Sequence, residues 1–210
     1  MRKAIMMERI REASPRLKAR IAGLFYLLIF VATPSDAARA TATRMLVTLT
    51  SDTAVALIFY DLLKPVSSRL SLLAAFFRLI FVVVMAVTSL NYLTPLTLLK
   101  GAHSPAAFMT GDLIALVFFG FHCLLIGYLI FKSTFLPRIL GALLIIAGPA
   151  YLINSFANLF TPAFAHALWP YILSCWLLAE GLLTLWLLVI GVNVRRWKEQ
   201  SSAAEASIRA

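Results

Sequence analysis

Long apolar runs alternate along the chain with short polar breaks, many of them basic. An apolar run of about 18 residues, nearly free of charge, has the length a helix needs to cross about 30 Å of hydrocarbon at about 1.5 Å per residue. Six such segments can be drawn. The first runs from Ile21 to Thr33, or from Leu17 if the helix starts early. The second covers Leu46 to Leu63 and stops before Lys64-Pro65, because proline disfavours a helical conformation at the residue before it. After a tight turn at Val66-Ser67-Ser68-Arg69, the third continues from Leu70 to about Tyr92, with Pro95 beyond. Ser104-Pro105 has the form of an N-cap with proline at the first helical position. It opens a fourth segment that starts at Pro105 or Asp112 and ends at Phe131. The fifth spans Ile139 to Phe160, with Gly148-Pro149 as a kink. The sixth begins near Ala167, sets Trp169 and Tyr171 at an interface, and ends at Val192.

This pattern predicts an all-α fold, a polytopic transmembrane helical bundle of six spans over residues 18–194. Residues 1–17 form a basic segment, and the Ser-, Ala- and Glu-rich tail, 195–210, predicts no fixed structure. A cleaved signal peptide is the rival reading of the first segment, from its basic start and the small-residue run Asp36-Ala37-Ala38. The long basic lead-in favours a retained anchor.

Charge fixes the expected orientation. The formal net charge is +10, with 61% hydrophobic residues and only 13% charged. In a soluble protein that excess would suggest nucleic acid as a partner. Here the basic residues gather at the ends of apolar runs, as membrane anchors do, and no aromatic-interleaved basic stripe is present. With six spans, fourteen Lys and Arg fall on one side, in the N-terminus, the two short turns and the stretch after Val192. Three, namely Arg39, Arg44 and Lys100, fall on the other. Positively charged loops resist translocation, so both termini are expected to be cytoplasmic, in the cell membrane. A faint repeat joins the two cytoplasmic turns: Tyr60 and Lys64 recur as Tyr128 and Lys132 at an offset of 68, and Arg69 as Arg138 at 69. Either a helical hairpin is duplicated, or both turns carry Lys and Arg through the positive-inside rule alone.

Ionisable side chains in lipid cost roughly 2.5 to 3.5 kcal/mol at a helix centre, so each calls for a partner or a cavity. Counted from the cytoplasmic ends, Arg78 lies about 13 Å deep, His122 about 15 Å, Asp52 about 18 Å and Glu180 about 22 Å. Asn154, about 24 Å from Arg138, borders the same layer. Four helices thus deliver charge to similar depth, the pattern of an internal polar cluster. Arg78 is expected to bridge Asp52 or Glu180, and Thr184, one turn after Glu180, to donate to that carboxylate. The formal sum of Asp52, Arg78 and Glu180 is −1, which a protonated His122, a bound cation or a shared proton would neutralise. Asp112 and Asn91 read as caps or loop contacts.

Other chemistry finds little support. Cys123 and Cys175 lack CxxC spacing and read as packing. His103 and His166 are expected in outer loops, so no bis-histidine haem pair forms and no cofactor or metal site is expected. GxSxG, HExxH and phosphate-loop motifs do not occur, and Gly120 and Gly127 read as helix packing.

Several stretches resemble the bacterial membrane family catalogued as domain of unknown function 4386. They are ArgIleAlaGlyLeuPheTyrLeuLeu from Arg20, LeuLeuLysPro from Leu62, AlaAlaPhePheArgLeu from Ala74, PhePheGlyPheHisCysLeuLeuIleGlyTyrLeuIle from Phe118, LeuProArgIleLeuGly from Leu136, and the Glu180 region. The resemblance covers about residues 18–194 and implies a membrane protein without implying a mechanism. Three functions remain. A carrier or binding protein would hold a small molecule, ion or proton at the polar cluster, and as a carrier would call for a homo-oligomer because six spans are few. A non-catalytic structural or regulatory subunit would use the cluster as a staple. An intramembrane acid-base enzyme using His122 or Glu180 stands third. The lipid bilayer is the constant partner, and nucleic acid is not one.

Overall fold

A computed structural model of the chain describes residues 14–32, 38–93 and 105–209, with side chains over 14–32, 43–89 and 111–206. Ser104, His103, the Asn91 side chain, the Asp36 run and the basic residues before Ser14 lie outside these limits.

Every element described is helical: α1 (Pro15–Val31), α2 (Ala38–Leu63), α3 (Ser68–Leu93), α4 (Pro105–Lys132), α5 (Arg138–Phe160), α6 (Pro162–Trp176), a π-helical turn (Leu177–Gly181), α7 (Leu182–Val189) and α8 (Val194–Arg209). Five stretches are long and apolar enough to cross a membrane: Thr43–Leu63, Ser68–Ser89, Gly111–Lys132, Arg138–Phe160 and the continuous Pro162–Val189. These mark a multi-pass membrane protein. The outside of the bundle agrees, since Val31, Leu57, Phe76, Val83, Ile146 and Leu185 are all exposed. So much outward apolar surface suits lipid rather than water.

From α1 to α6 each helix packs on the next in sequence, and α7 closes the bundle by packing on α1. Small residues permit the close approaches. A Cβ on Gly23 would stand 2.8 Å from the Leu188 backbone nitrogen, and one on Gly127 2.8 Å from the Gly141 carbonyl. The reading of Gly120 as packing holds as well, because it meets the Gly148 carbonyl. The tightest seam is therefore α4 against α5, with backbone nearly on backbone.

One end of the bundle is tied together by polar contacts. Lys18 pairs with Asp61 at 2.7 Å, Arg20 donates to the Val189 carbonyl at 3.2 Å, and Asn193 N–H donates to the Phe135 carbonyl at 3.1 Å. The start of α1, the α2–α3 turn, the α4–α5 turn and the start of α8 thus share this basic end. Gly191, at φ +72, ends α7 in the left-handed region and lets the chain turn back; Ile190 and Gly191 both donate to the Trp186 carbonyl at 2.9 Å.

Three expectations need correction. The tail expected to lack structure is the helix α8: Arg195 pairs with Glu199 at 2.9 Å, and the Trp197 indole donates to the Leu62 carbonyl at 2.9 Å. A polar segment too weak to order alone gains that order from tertiary contact. The second segment starts at Ala38 rather than Leu46, because its Ala- and Thr-rich lead-in continues the helix past the apolar run. His166 sits exposed in α6 rather than in a loop. In addition, α5 is one helix with Pro149 inside it, and a π-helical turn interrupts the last long span at Leu177–Gly181.

Candidate functional site

A π-turn widens the helix by one residue and re-aims the side chains around it, which is why such turns recur at functional positions. Here it holds Glu180, which is 5% exposed and directed to the bundle centre. Thr184 Oγ1 donates to the Glu180 backbone carbonyl at 2.7 Å. The expected bond from Thr184 to the carboxylate is therefore not made, because the hydroxyl serves the backbone one turn earlier. The carboxylate instead accepts a short hydrogen bond from the Tyr151 hydroxyl on α5.

Arg78 on α3 is the hub of a second group and is 1% exposed. Its Nε and Nη2 donate to Asp52 Oδ1 on α2 at 3.1 and 2.5 Å. Its Nη1 donates to the Tyr26 hydroxyl on α1 at 2.7 Å and to His122 Nε2 on α4 at 3.0 Å. The guanidinium carbon also lies 4.8 Å from the Tyr26 ring centroid and 5.3 Å from that of Phe119. Four of its five N–H groups are thereby engaged, by groups from four helices counting its own.

The partners fix the state of His122. Its Nδ1 faces the Ala74 carbonyl at 2.8 Å, an acceptor only, so Nδ1 carries the proton. Nε2 faces a guanidinium, a donor only, and must accept. The imidazole is neutral in this geometry, which removes a protonated His122 from the ways of balancing the cluster.

Asp52, Arg78, Glu180 and Asn154 all border one cavity of about 330 Å³, and His122 does not. The histidine stands behind Arg78. The cavity runs from this polar layer toward the end of the bundle that carries the α5–α6 junction, past Thr48, Phe81, Trp169 and Leu173. Asn154 accepts from Asn158 Nδ2 at 3.1 Å and lines the cavity. Its wall is otherwise apolar and largely aromatic: Phe119 meets Tyr151 edge-on at 5.1 Å, and Trp176 stacks on Phe30 at 5.0 Å.

The five sequence candidates thus come to one depth and divide into two groups. Arg78 takes Asp52 and not Glu180, and among the described residues no Lys, Arg or His lies within ion-pair distance of Glu180. Asp112 makes an interhelical contact, accepting from Thr88 Oγ1 at 3.5 Å. Tyr26 and Tyr151 were missed. Depth counting would have found them, at about 18 and 20 Å along their helices, had it been applied to hydroxyls as well as charges.

An "Uncharacterized protein" of Archaeoglobus fulgidus is 35% identical over 103 residues, which is 49% of this chain and 57% of that protein. The chain therefore spans little more than half the length of that relative. No solved structure matches the chain. Residues 33–191, most of the bundle and all of the polar cluster except Tyr26, match the family described as Domain of unknown function (DUF4386), and the chain belongs to that family.

Proposed function

We propose that this is a six-span protein of the cell membrane, with both termini cytoplasmic, that binds a small ligand in its central cavity and carries it. The observation behind this reading is the cavity itself, about 330 Å³ and ending on ionisable side chains at mid-depth. Pockets of this volume suit small ligands, with an apolar wall for area and a few polar groups for orientation. The sixth span is α1. It is only 17 residues long, yet its Tyr26 reaches the Arg78 layer and its Ile29 lines the cavity, so it penetrates as far as its neighbours. The fourteen-to-three distribution of Lys and Arg supports the orientation, with the tied basic end inward.

The staple reading has its own support, and it belongs to half of the cluster. Arg78, Asp52, Tyr26 and His122 bond to one another, with a single guanidinium N–H left over, and join α1, α2, α3 and α4. Asp52 and Arg78 border the cavity already paired with each other, whereas Glu180 and Tyr151 border it without a paired cation, and the ligand role falls to them.

Filling the cavity tests the proposal. Wild type and Leu173→Trp, each extracted from native membranes in lipid nanodiscs, are compared by mass spectrometry of their small-molecule content. A compound retained by wild type and lost from the filled variant supports the reading. Identical contents, with the filled variant more stable, would make the cavity a packing void.

A further inference from the structure

The charge and hydrogen-bond capacity left over at the cavity narrows the ligand class. Arg78 is the one cation bordering the cavity among the described residues, and it is already taken by Asp52, Tyr26 and His122. A single N–H remains on it, so an anion would meet a guanidinium whose charge is balanced. Glu180 is the opposite case. The titratable and charged groups around it are Tyr26 from α1, Asp52 from α2, Arg78 from α3, Cys123 from α4 and Tyr151 from α5. None is a cation free to pair with it. With His122 neutral, the ionised set Asp52, Arg78 and Glu180 sums to −1.

The wall reinforces the sign. Phe81, Phe119, Trp169 and Trp176 surround the space in front of the carboxylate, and aromatic faces attract cations by about 0.5 to 2 kcal/mol each when desolvated. A metal ion does not fit this donor set. Among the described residues no three His, Cys, Asp or Glu side chains converge as ligands, and a hard divalent ion requires six or more oxygens.

We infer, resting on the reading of the cavity as a ligand site, that the ligand is a small organic monocation, a protonated amine carried on an apolar or aromatic body. The ammonium pairs with the Glu180 carboxylate and the body lies against the Trp and Phe wall. Asn154, which lines the same cavity, supplies an amide to a polar substituent. When Glu180 carries a proton, the entering ammonium releases it, one cation in and one proton out, so that charge and atoms balance. Amine and proton are then competitors for a single carboxylate, which is the coupling a carrier needs.

Three probes with one body and three heads test this: benzylammonium, benzyl alcohol and benzoate. They are titrated calorimetrically into the full-length protein in nanodiscs, with empty nanodiscs subtracted. Benzylammonium is expected to bind about ten-fold tighter than either other probe, a difference of about 1.4 kcal/mol. Glu180→Gln is expected to bring the amine to the level of the alcohol. In wild type, amine affinity rises with pH while that of the alcohol stays flat, because only the amine competes with the proton for the Glu180 carboxylate. Should Glu180→Gln lose its fold, that pH comparison and the three-probe order in wild type decide without it. Equal binding of the three probes, or a preference that survives Glu180→Gln, overturns the amine assignment and leaves the cavity reading standing. No binding by any probe, with a thiol at position 154 reactive to aqueous reagents, overturns the assignment alone; no binding with that thiol unreactive overturns both.

Discussion

Replacing Arg78 with leucine removes, in one step, the only countercharge of Asp52 among the described residues. The guanidinium is 1% exposed and Asp52 3%, and the two approach to 2.5 Å. Breaking a buried pair by deleting one partner costs about 3 to 5 kcal/mol, because the surviving charge is stranded in a low-dielectric interior. Tyr26 and His122 lose a donor as well, each worth about 1 kcal/mol when made, although water from the cavity can replace part of that loss. Arg78→Leu is therefore expected to be unstable by at least about 3 kcal/mol, enough to lower expression and to advance unfolding in a denaturing-detergent titration. The geometry also names the rescuer. Arg78→Leu with Asp52→Asn is expected to regain most of the loss, whereas Arg78→Leu with Glu180→Gln regains little, since Glu180 pairs with Tyr151 instead. Wild-type stability of the single variant, or equal rescue by both second substitutions, would refute the division of the cluster into two halves.

Other expectations follow from particular contacts. In a Cys175→Ser background, single cysteines at Ser68, Thr134 and Ser202 are expected to react only from the cytoplasm and one at Ala102 only from outside; labelling of 68 and 102 from the same side would defeat the six-span topology. Gly141→Ala would set a Cβ 2.5 Å from the Phe131 nitrogen and 2.6 Å from the Gly127 carbonyl, so a cost of about 1 to 3 kcal/mol is expected in the same detergent titration. Gly181→Ala meets nothing within 4 Å and is expected to be neutral or stabilising by up to about 1 kcal/mol. Trp197→Phe removes the bond to the Leu62 carbonyl, and a loss of about 1 kcal/mol together with faster proteolysis of α8 would confirm that this contact orders the tail.

The helices and the depth of the polar layer were legible in the sequence for the same reason. Rise per residue is nearly constant in a helix, so length and depth can be counted along it. Asp52, Arg78, His122, Asn154 and Glu180 were brought to one level by that count. Which of them touch depends on rotation about each helix axis and on the closure of α7 onto α1, and neither is a one-dimensional property. Hence Arg78 could have taken either carboxylate, and only the assembled bundle shows that it takes Asp52. The π-turn was hidden for a different reason: LeuLeuAlaGluGly carries no breaker stronger than Gly181, and the extra residue is absorbed by packing. The α8 helix was misread because composition speaks for an isolated segment, while Trp197 finds its acceptor 135 residues away.

The central claim is that Glu180 and Asn154 face a space open to water and ligand, while His122 stands behind the paired Arg78 and outside that space. The direct measurement is the reaction of cysteines at position 154 and at native position 123 with a small, membrane-impermeant thiol reagent, in intact membranes and in a Cys175→Ser background. Cys123 is 2% exposed and does not line the cavity, so it is expected to stay unreacted. Asn154→Cys is expected to react, from the outer side, and to be protected by benzylammonium. An unreactive thiol at 154 would contradict the account and leave the whole polar layer as a staple.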